Sequence, residues 1–299
     1  MEEERRFTGP FYRFRVTRRE RDKFVGFEKG ATRMRKKMVI AALCLLIAWA
    51  AALGGCDDGA NGSVEMENAG TFQGIVGGTE TGYETFKGVI GLYYSINATG
   101  GALCTATLID PQVLLTAGHC VYYPGDGIDA VADPSKLMAI GGANVSGAGV
   151  IHYPDPVEVV INPAWTGVIG TDMNAVDLAM VKLESPITTV ETYRLREADD
   201  VAEGDTGVIV GYGLLSSDEQ NSAGIHRFGE TTVKNKIAHY LNLGDPTGTC
   251  QGDSGGPFFT KVDGDDYWRL TGVTSLGLSE TCSATNGSVD ENVAQQWDW

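Results

Sequence analysis

Ser254 stands in the run Cys250-Gln251-Gly252-Asp253-Ser254-Gly255-Gly256-Pro257, with glycine at three of the four positions around it. Neighbours without side chains let a substrate carbonyl approach main-chain N–H groups. An oxyanion hole needs such donors about 3 Å from the developing charge. The N–H groups of Gly252 and Ser254 are the natural pair. A serine hydroxyl is a poor nucleophile unless a neutral imidazole takes its proton, and a buried carboxylate must then hold the imidazole in the right tautomer. The chain has four histidines, at 119, 152, 226 and 239. His119 lies in Leu115-Thr116-Ala117-Gly118-His119-Cys120, directly after an apolar stretch. Gly118 gives backbone freedom there and Cys120 is placed to pin the loop. His152, His226 and His239 read as surface or loop residues. The sequence holds no CxxC pair or HExxH of the kind that marks zinc sites. No metal and no cofactor is expected.

The elements that must position these residues read as strands. Short apolar stretches at Val89–Tyr94, Ala106–Ile109, Val113–Thr116, Val157–Ile161, Leu178–Leu183, Gly207–Val210, Phe258–Lys261 and Leu270–Thr274 alternate with Gly, Pro, Asn and Asp. That spacing predicts an all-β sandwich or barrel, with one short helix at Val293–Trp299. Length suits a single domain of roughly 200–250 residues behind a leader. Residues 1–37 carry a net charge of +7 and the remainder −23, against −16 for the whole chain. Phosphate binding needs clustered Lys and Arg, so an acidic body excludes nucleic acid as a partner.

The front of the chain reads as an address. Arg33, Arg35, Lys36 and Lys37 precede the unbroken apolar run Met38–Leu53, whose 16 residues fall short of the roughly 20 needed to span a membrane. A basic n-region, a short apolar core and small residues after it describe an export signal. Leu53-Gly54-Gly55-Cys56 resembles the bacterial lipobox, in which the cysteine carries lipid after cleavage before it. The alternatives are an ordinary signal peptide beside an ordinary Cys56, or a single-pass anchor. Met34 makes a normal start for such a signal. The expected organisation is an upstream extension over 1–33, a lipoprotein-type signal peptide over 34–55, a lipidated tether or propeptide over 56–74, and a catalytic domain over 75–299. The protein would be exported and held to the bacterial cell envelope by lipid, where disulfides persist.

With Cys44 inside the signal and Cys56 assigned to lipid, Cys104, Cys120, Cys250 and Cys282 remain. Four cysteines allow three connectivities that sequence cannot separate.

Ile75-Val76-Gly77-Gly78, Thr116-Ala117-Gly118-His119-Cys120, Asp177-Leu178-Ala179 and Gly252-Asp253-Ser254-Gly255-Gly256-Pro257 together resemble the chymotrypsin/trypsin family, in that family's order of His, Asp and Ser. Gly211-Tyr212-Gly213 and Thr274-Ser275-Leu276-Gly277 are weaker matches. The resemblance runs from Ile75 to Trp299. It implies two six-stranded antiparallel β-barrels with the site in the cleft between them and a short C-terminal helix. It implies His119 as general base, Asp177 as its orienting carboxylate, and disulfides Cys104–Cys120 and Cys250–Cys282. Asp172 competes with Asp177, but its polar neighbours suggest a loop, whereas Leu178-Ala179-Met180-Val181 forms a strand able to bury Asp177.

The resemblance also implies a zymogen. Cleavage before Ile75 by an activating protease would free an α-amino group to pair with Asp253. Phe72-Gln73-Gly74 precede that bond without Arg or Lys, so a trypsin-like activator would not cut there; either another protease does, or the domain cleaves itself. The pocket would be built by Gly248, Thr249, Ser275, Leu276 and Gly277, with Ser275-Leu276-Gly277 pairing with the substrate backbone. Gly248 stands where trypsin-like members have an Asp, so the expected preference is for an apolar or aromatic side chain. Gly287 would help keep the entrance open, and an inward Glu280 would restore basic specificity. Thr105 and Ala106 depart from the family's glycines, and extra length is expected around Tyr122–Asp155. The substrates would be proteins or peptides. Competing readings are a catalytically silent protease-like binding module and an esterase using the same three residues.

Overall fold

The computed structural model describes residues 14–15 and 75–299, apart from 98–99, 123–130, 170–173, 263–265, 279–280, 286 and 297. The signal run, Cys56, the tether, Asp172 and Glu280 therefore lie outside the described residues. No helix among the described residues is long and apolar enough to cross a membrane.

The architecture is all-β, with twelve principal strands in two groups. The first group is β1 (Val89–Asn97), β2 (Gly100–Asp110), β3 (Val113–Thr116), β4 (Leu137–Gly141), β5 (Pro156–Ile161) and β6 (Ala179–Leu183). These pair antiparallel in the order β4-β1-β2-β3-β6-β5. The second group is β7 (Thr206–Gly211), β8 (Arg227–Ile237), β9 (Tyr240–Pro246), β10 (Pro257–Lys261), β11 (Trp268–Gly277) and β12 (Ser288–Asn292). Here the ladder β11-β10-β7-β8-β9-β12 returns on itself through β11–β12 pairing and closes the barrel. The first group's ladder stays open between β4 and β5. Closure removes exposed strand edges, so only the second barrel is free of them.

Alternation along the strands explains the two cores. Ile90, Leu92 and Tyr94 of β1 face Ala106 and Leu108 of β2, Leu114 of β3, and Val181 and Leu183 of β6. In the second barrel Ile209, Val233, Leu241, Leu243 and Phe258 pack together, with Ile75 and Val201 among them. A third cluster joins the groups. Leu115 and Leu178 from the first barrel pack on Val208, Val210, Phe259 and Val273 from the second, with Phe86 and Tyr193 from the connecting segments.

Four strands were not visible as apolar runs: β4, β8, β9 and β12. Strand β4 falls within the stretch expected as extra length, so part of 122–155 is barrel. The expected terminal helix is a short 3-10 turn, Val293–Gln296.

Leu241 is completely buried within the closed barrel. Leu241→Ala should lower stability by about 2–5 kcal/mol, the range for a large core side chain cut to alanine. Urea unfolding should show a lower midpoint with an unchanged slope.

Candidate active site

His119 follows β3 on a short 3-10 turn, Gly118–Val121, where Cys120 is tied by a disulfide to Cys104 of β2. Asp177 ends the irregular segment before β6. The two meet in a buried contact. His119 Nδ1 is 2.6 Å from Asp177 Oδ2, and the His119 backbone N–H donates to Oδ1 at 2.8 Å. The Ser275 hydroxyl, on β11, donates to Oδ2 at 2.6 Å. The Asp177 carboxylate therefore accepts three hydrogen bonds from both barrels. Asp177 and His119 are 2% and 5% exposed. Of the two ring nitrogens it is Nδ1 that meets Oδ2, so in the neutral imidazole Nδ1 carries the hydrogen and Nε2 is the acceptor.

Ser254 arrives on the turn between β9 and β10. Gly252 adopts φ +100° and Gly255 φ +79°, conformations open to glycine and costly for other residues. A Cβ at Gly255 would come within 2.3 Å of the Thr105 carbonyl. The turn is anchored to the first barrel by Thr105 of β2. Its N–H donates to the Ser254 carbonyl at 2.8 Å, and its hydroxyl donates to the Gly252 carbonyl at 2.8 Å and accepts the Tyr212 N–H at 3.2 Å. Thr105, a departure from the family's glycine, thus performs a task glycine cannot. The disulfide Cys250–Cys282 braces the same turn from outside.

Asp253, beside Ser254, is turned inward. Its Oδ1 accepts the Gly213 N–H at 2.7 Å and its Oδ2 the Cys250 N–H at 2.9 Å. A Cβ on Gly211 or Gly213 would lie 2.1 or 2.5 Å from this carboxyl, which is why Gly211-Tyr212-Gly213 has glycine on both sides. Burial pushes Asp253 up to about 7, against the opposing pull of the two N–H donors and the buried Arg227 guanidinium. No cation among the described residues lies within ion-pair distance of Asp253. Ile75 is buried in the second core at φ +49°, and Val76 pairs with Gly248.

Ser275, on the strand expected to pair with the substrate backbone, turns its side chain to Asp177. At Gly287, with φ +60°, a Cβ would overlap the Leu243 carbonyl at 1.5 Å, so only glycine fits there. Gly248 is likewise closed off, its Cβ position lying 2.6 Å from the Ser283 carbonyl. Thr249 is buried, Leu276 half-buried and Gly277 exposed.

Of the remaining histidines, His152 is exposed and His239 lies in the turn between β8 and β9. His226 lies in a loop but is fully buried. Its Nδ1 contacts the Thr81 hydroxyl at 2.6 Å, and burial pulls its pKa down to about 3. It is a neutral structural residue. Cys104, His119 and Cys120 bring potential metal-ligating atoms within 4.8 Å of one another, but the disulfide consumes both thiols.

Two acidic residues of β12 escaped the sequence reading. Asp290 accepts from the Ser288 and Thr274 hydroxyls at 2.8 and 3.1 Å. Glu291 accepts the Asp177 N–H at 2.7 Å. Burial pushes them up to about 7 and about 8. The run Ser-Val-Asp-Glu-Asn, with adjacent acids before the last apolar residues, was the available signal.

A buried His–Asp pair beside a glycine-framed serine, in the seam between two β-barrels, defines a two-barrel serine hydrolase architecture. The model of the family described as Trypsin matches residues 75–299, and the chain belongs to that family. Residues 75–299 form its chymotrypsin-like serine protease domain. Chymotrypsin-like elastase family member 1 from Homo sapiens is 26% identical over 231 residues, covering 71% of this chain and 84% of the relative. The protein of the same name from Macaca fascicularis is also 26% identical over 231 residues, covering 71% and 82%. Urokinase-type plasminogen activator from Gallus gallus is 27% identical over 241 residues, covering 71% of this chain and 53% of that protein.

Two outcomes follow. Ser275→Ala removes a hydrogen bond to a buried charge, a loss of about 1.5–3 kcal/mol. It should lower kcat by roughly tenfold to a hundredfold with KM little changed, as steady-state kinetics would show. Asp253, Asp290 and Glu291 all bind protons more tightly in the folded uncleaved chain than when unfolded, where carboxyls titrate near 4. The folded state then holds the extra protons, so the contribution of these three groups to stability is fullest below about pH 4 and is lost as pH rises to about 8. Urea unfolding of the uncleaved chain should show greater stability at pH 5 than at pH 8, and Asp290→Asn should narrow that gap.

Proposed function

We propose that this protein is an exported serine endopeptidase that hydrolyses peptide bonds through an acyl-enzyme, with Ser254 as nucleophile, His119 as general base and Asp177 as the orienting carboxylate. The observation that carries this reading is the 2.6 Å contact between His119 Nδ1 and Asp177 Oδ2, because it assigns the ring hydrogen of the neutral imidazole to Nδ1 and the acceptor role to Nε2. Ser254 Oγ attacks the scissile carbonyl carbon as its proton passes to His119 Nε2. The oxyanion is received by the N–H groups of Gly252 and Ser254. The C–N bond then breaks as Nε2 returns the proton to the leaving amine. Water repeats the sequence on the acyl-enzyme, with His119 again as base.

Activation fits cleavage before Ile75. A β-branched residue at φ +49° is strained by about 1–3 kcal/mol, and cutting the preceding peptide bond releases that constraint. It also delivers an ammonium to a second barrel in which no cation among the described residues lies within ion-pair distance of the buried Asp253. Charge and partner then arrive together, which is the condition under which a buried pair is tolerable. For specificity, main chain at Ser283 fills the space where a side chain on Gly248 would reach, and Asp290 is engaged by two hydroxyls. An apolar or aromatic side chain, bound by burial worth about 25 cal/mol per Å², suits this pocket. Attachment of the domain to a membrane through a lipid on Cys56 completes the reading.

A fluorophosphonate probe applied after cleavage before Ile75 should label Ser254, and peptide profiling should show turnover after apolar residues. Absence of labelling would mark a silent binding module, and ester turnover without peptide turnover an esterase. Ile75→Gly and Asp253→Ala should each abolish activity while keeping a cooperative thermal transition. Full activity in the uncleaved chain would remove the activation step.

A further inference from the structure

Asp177 reaches the cleft on a first-barrel segment, yet the second barrel holds that segment in place. Glu291, on β12, is fully buried, and its Oε1 accepts the Asp177 backbone N–H at 2.7 Å. Its Oε2 lies 3.5 Å from Nε2 of His239 and has no hydrogen-bond partner among the described residues. The same Nε2 is 3.1 Å from the Ala175 carbonyl, which also accepts the Tyr240 hydroxyl at 2.6 Å. The Asn292 N–H donates to the His239 carbonyl at 2.8 Å, tying the histidine back to the strand that carries Glu291. The stretch Ala175–Asp177 is therefore fastened at both ends by β12 and the β8–β9 turn.

The titratable groups facing Glu291 are Asp177, with His119 behind it, Asp290 on its own strand, and His239. Opposite it, β9 presents Tyr240 and β11 presents Val273, both uncharged at neutral pH. A neutral Glu291 supplies an acceptor to the Asp177 amide without adding charge. An ionised Glu291 puts a second anion beside Asp177, which favours the imidazolium form of His119 and pushes the two carboxylates apart.

We propose that Glu291 is a positioning residue for the catalytic pair: acting through the Asp177 amide it fixes where the Asp177 carboxylate meets His119, and its own protonation sets the basicity of His119. This rests on His119 serving as the base for Ser254. Burial, which pushes Glu291 up to about 8, places that ionisation just above neutrality.

The test compares wild type, Glu291→Gln and Glu291→Ala in the cleaved enzyme. Gln keeps the carbonyl acceptor and cannot ionise, whereas Ala removes both. Glu291→Ala should lower kcat about tenfold or more with KM within about twofold, and Glu291→Gln should restore kcat to within about threefold, the scale expected when a hydrogen bond is lost and recovered. The downfield proton resonance of the His119 Nδ1–H, followed by NMR, should move between pH 7 and 9 in wild type and stay fixed over that range in Glu291→Gln. The Ile75 α-ammonium also titrates near 8 but is present in all three proteins, so only the difference between them counts. A folded Glu291→Ala with unchanged kcat, or identical resonance titrations in wild type and Glu291→Gln, overturns the proposal. If Glu291→Ala does not fold, the resonance comparison decides alone. Failure of wild type to label at Ser254 would sink the peptidase reading instead, and the resonance would still report whether Glu291 is coupled to His119.

Discussion

A carboxylate buried at a junction is expensive unless every lone pair is used, and the Asp177 side chain sets that condition for the whole molecule. Its three donors come from the His119 main chain and ring on the first barrel and from Ser275 on the second. The full set cannot be supplied by one barrel alone. The mixed cluster of Leu115, Leu178, Val210 and Phe259 brings the barrels into contact, but it is non-directional. The carboxylate gives that contact a register, because its bonds survive only at one relative placement of β3, β6 and β11.

The nucleophile turn is governed by the same need for cross-barrel fastening. Thr105 bonds Ser254 and Gly252 through backbone and hydroxyl together, and the Cys104–Cys120 bridge keeps Thr105 close to the histidine loop. Ser254 and His119 are thus attached to neighbouring residues of one strand, although 135 positions separate them in sequence. Misplacing either by about an ångström costs on the order of a hundredfold in rate, so such short tethers have direct functional value.

What could be read in the sequence was whatever local backbone geometry demands. The glycines at 252 and 255 are required by positive φ, those at 211 and 213 by contact with Asp253, and both sites were visible as glycine patterns. Strands with large apolar residues were equally plain. Strand β8 was not, because the residues it buries are Arg227, Gly229, Thr231 and Val233, a period-two pattern built from charge, no side chain, a hydroxyl and one valine. Strand β12 buries Ser288, Asp290, Glu291 and Asn292, which as a string looks like a solvated turn. Burial of acids depends on donors brought from elsewhere in the fold, here Thr274 and the Asp177 amide. No local pattern encodes those partners. The same limit applies to Ser275, whose place on the strand was legible and whose side-chain direction was not.

The closed space at Gly248 has a consequence for re-engineering. Because the Ser283 main chain occupies the volume a side chain would need, the identity of residue 248 is bound to the path of a neighbouring loop. Grafting an acid onto position 248 would distort the turn that leads to Cys250 before it ever met a substrate. Room for any side chain at 248 has to begin with the main chain at Ser283 and Ala284 moving away.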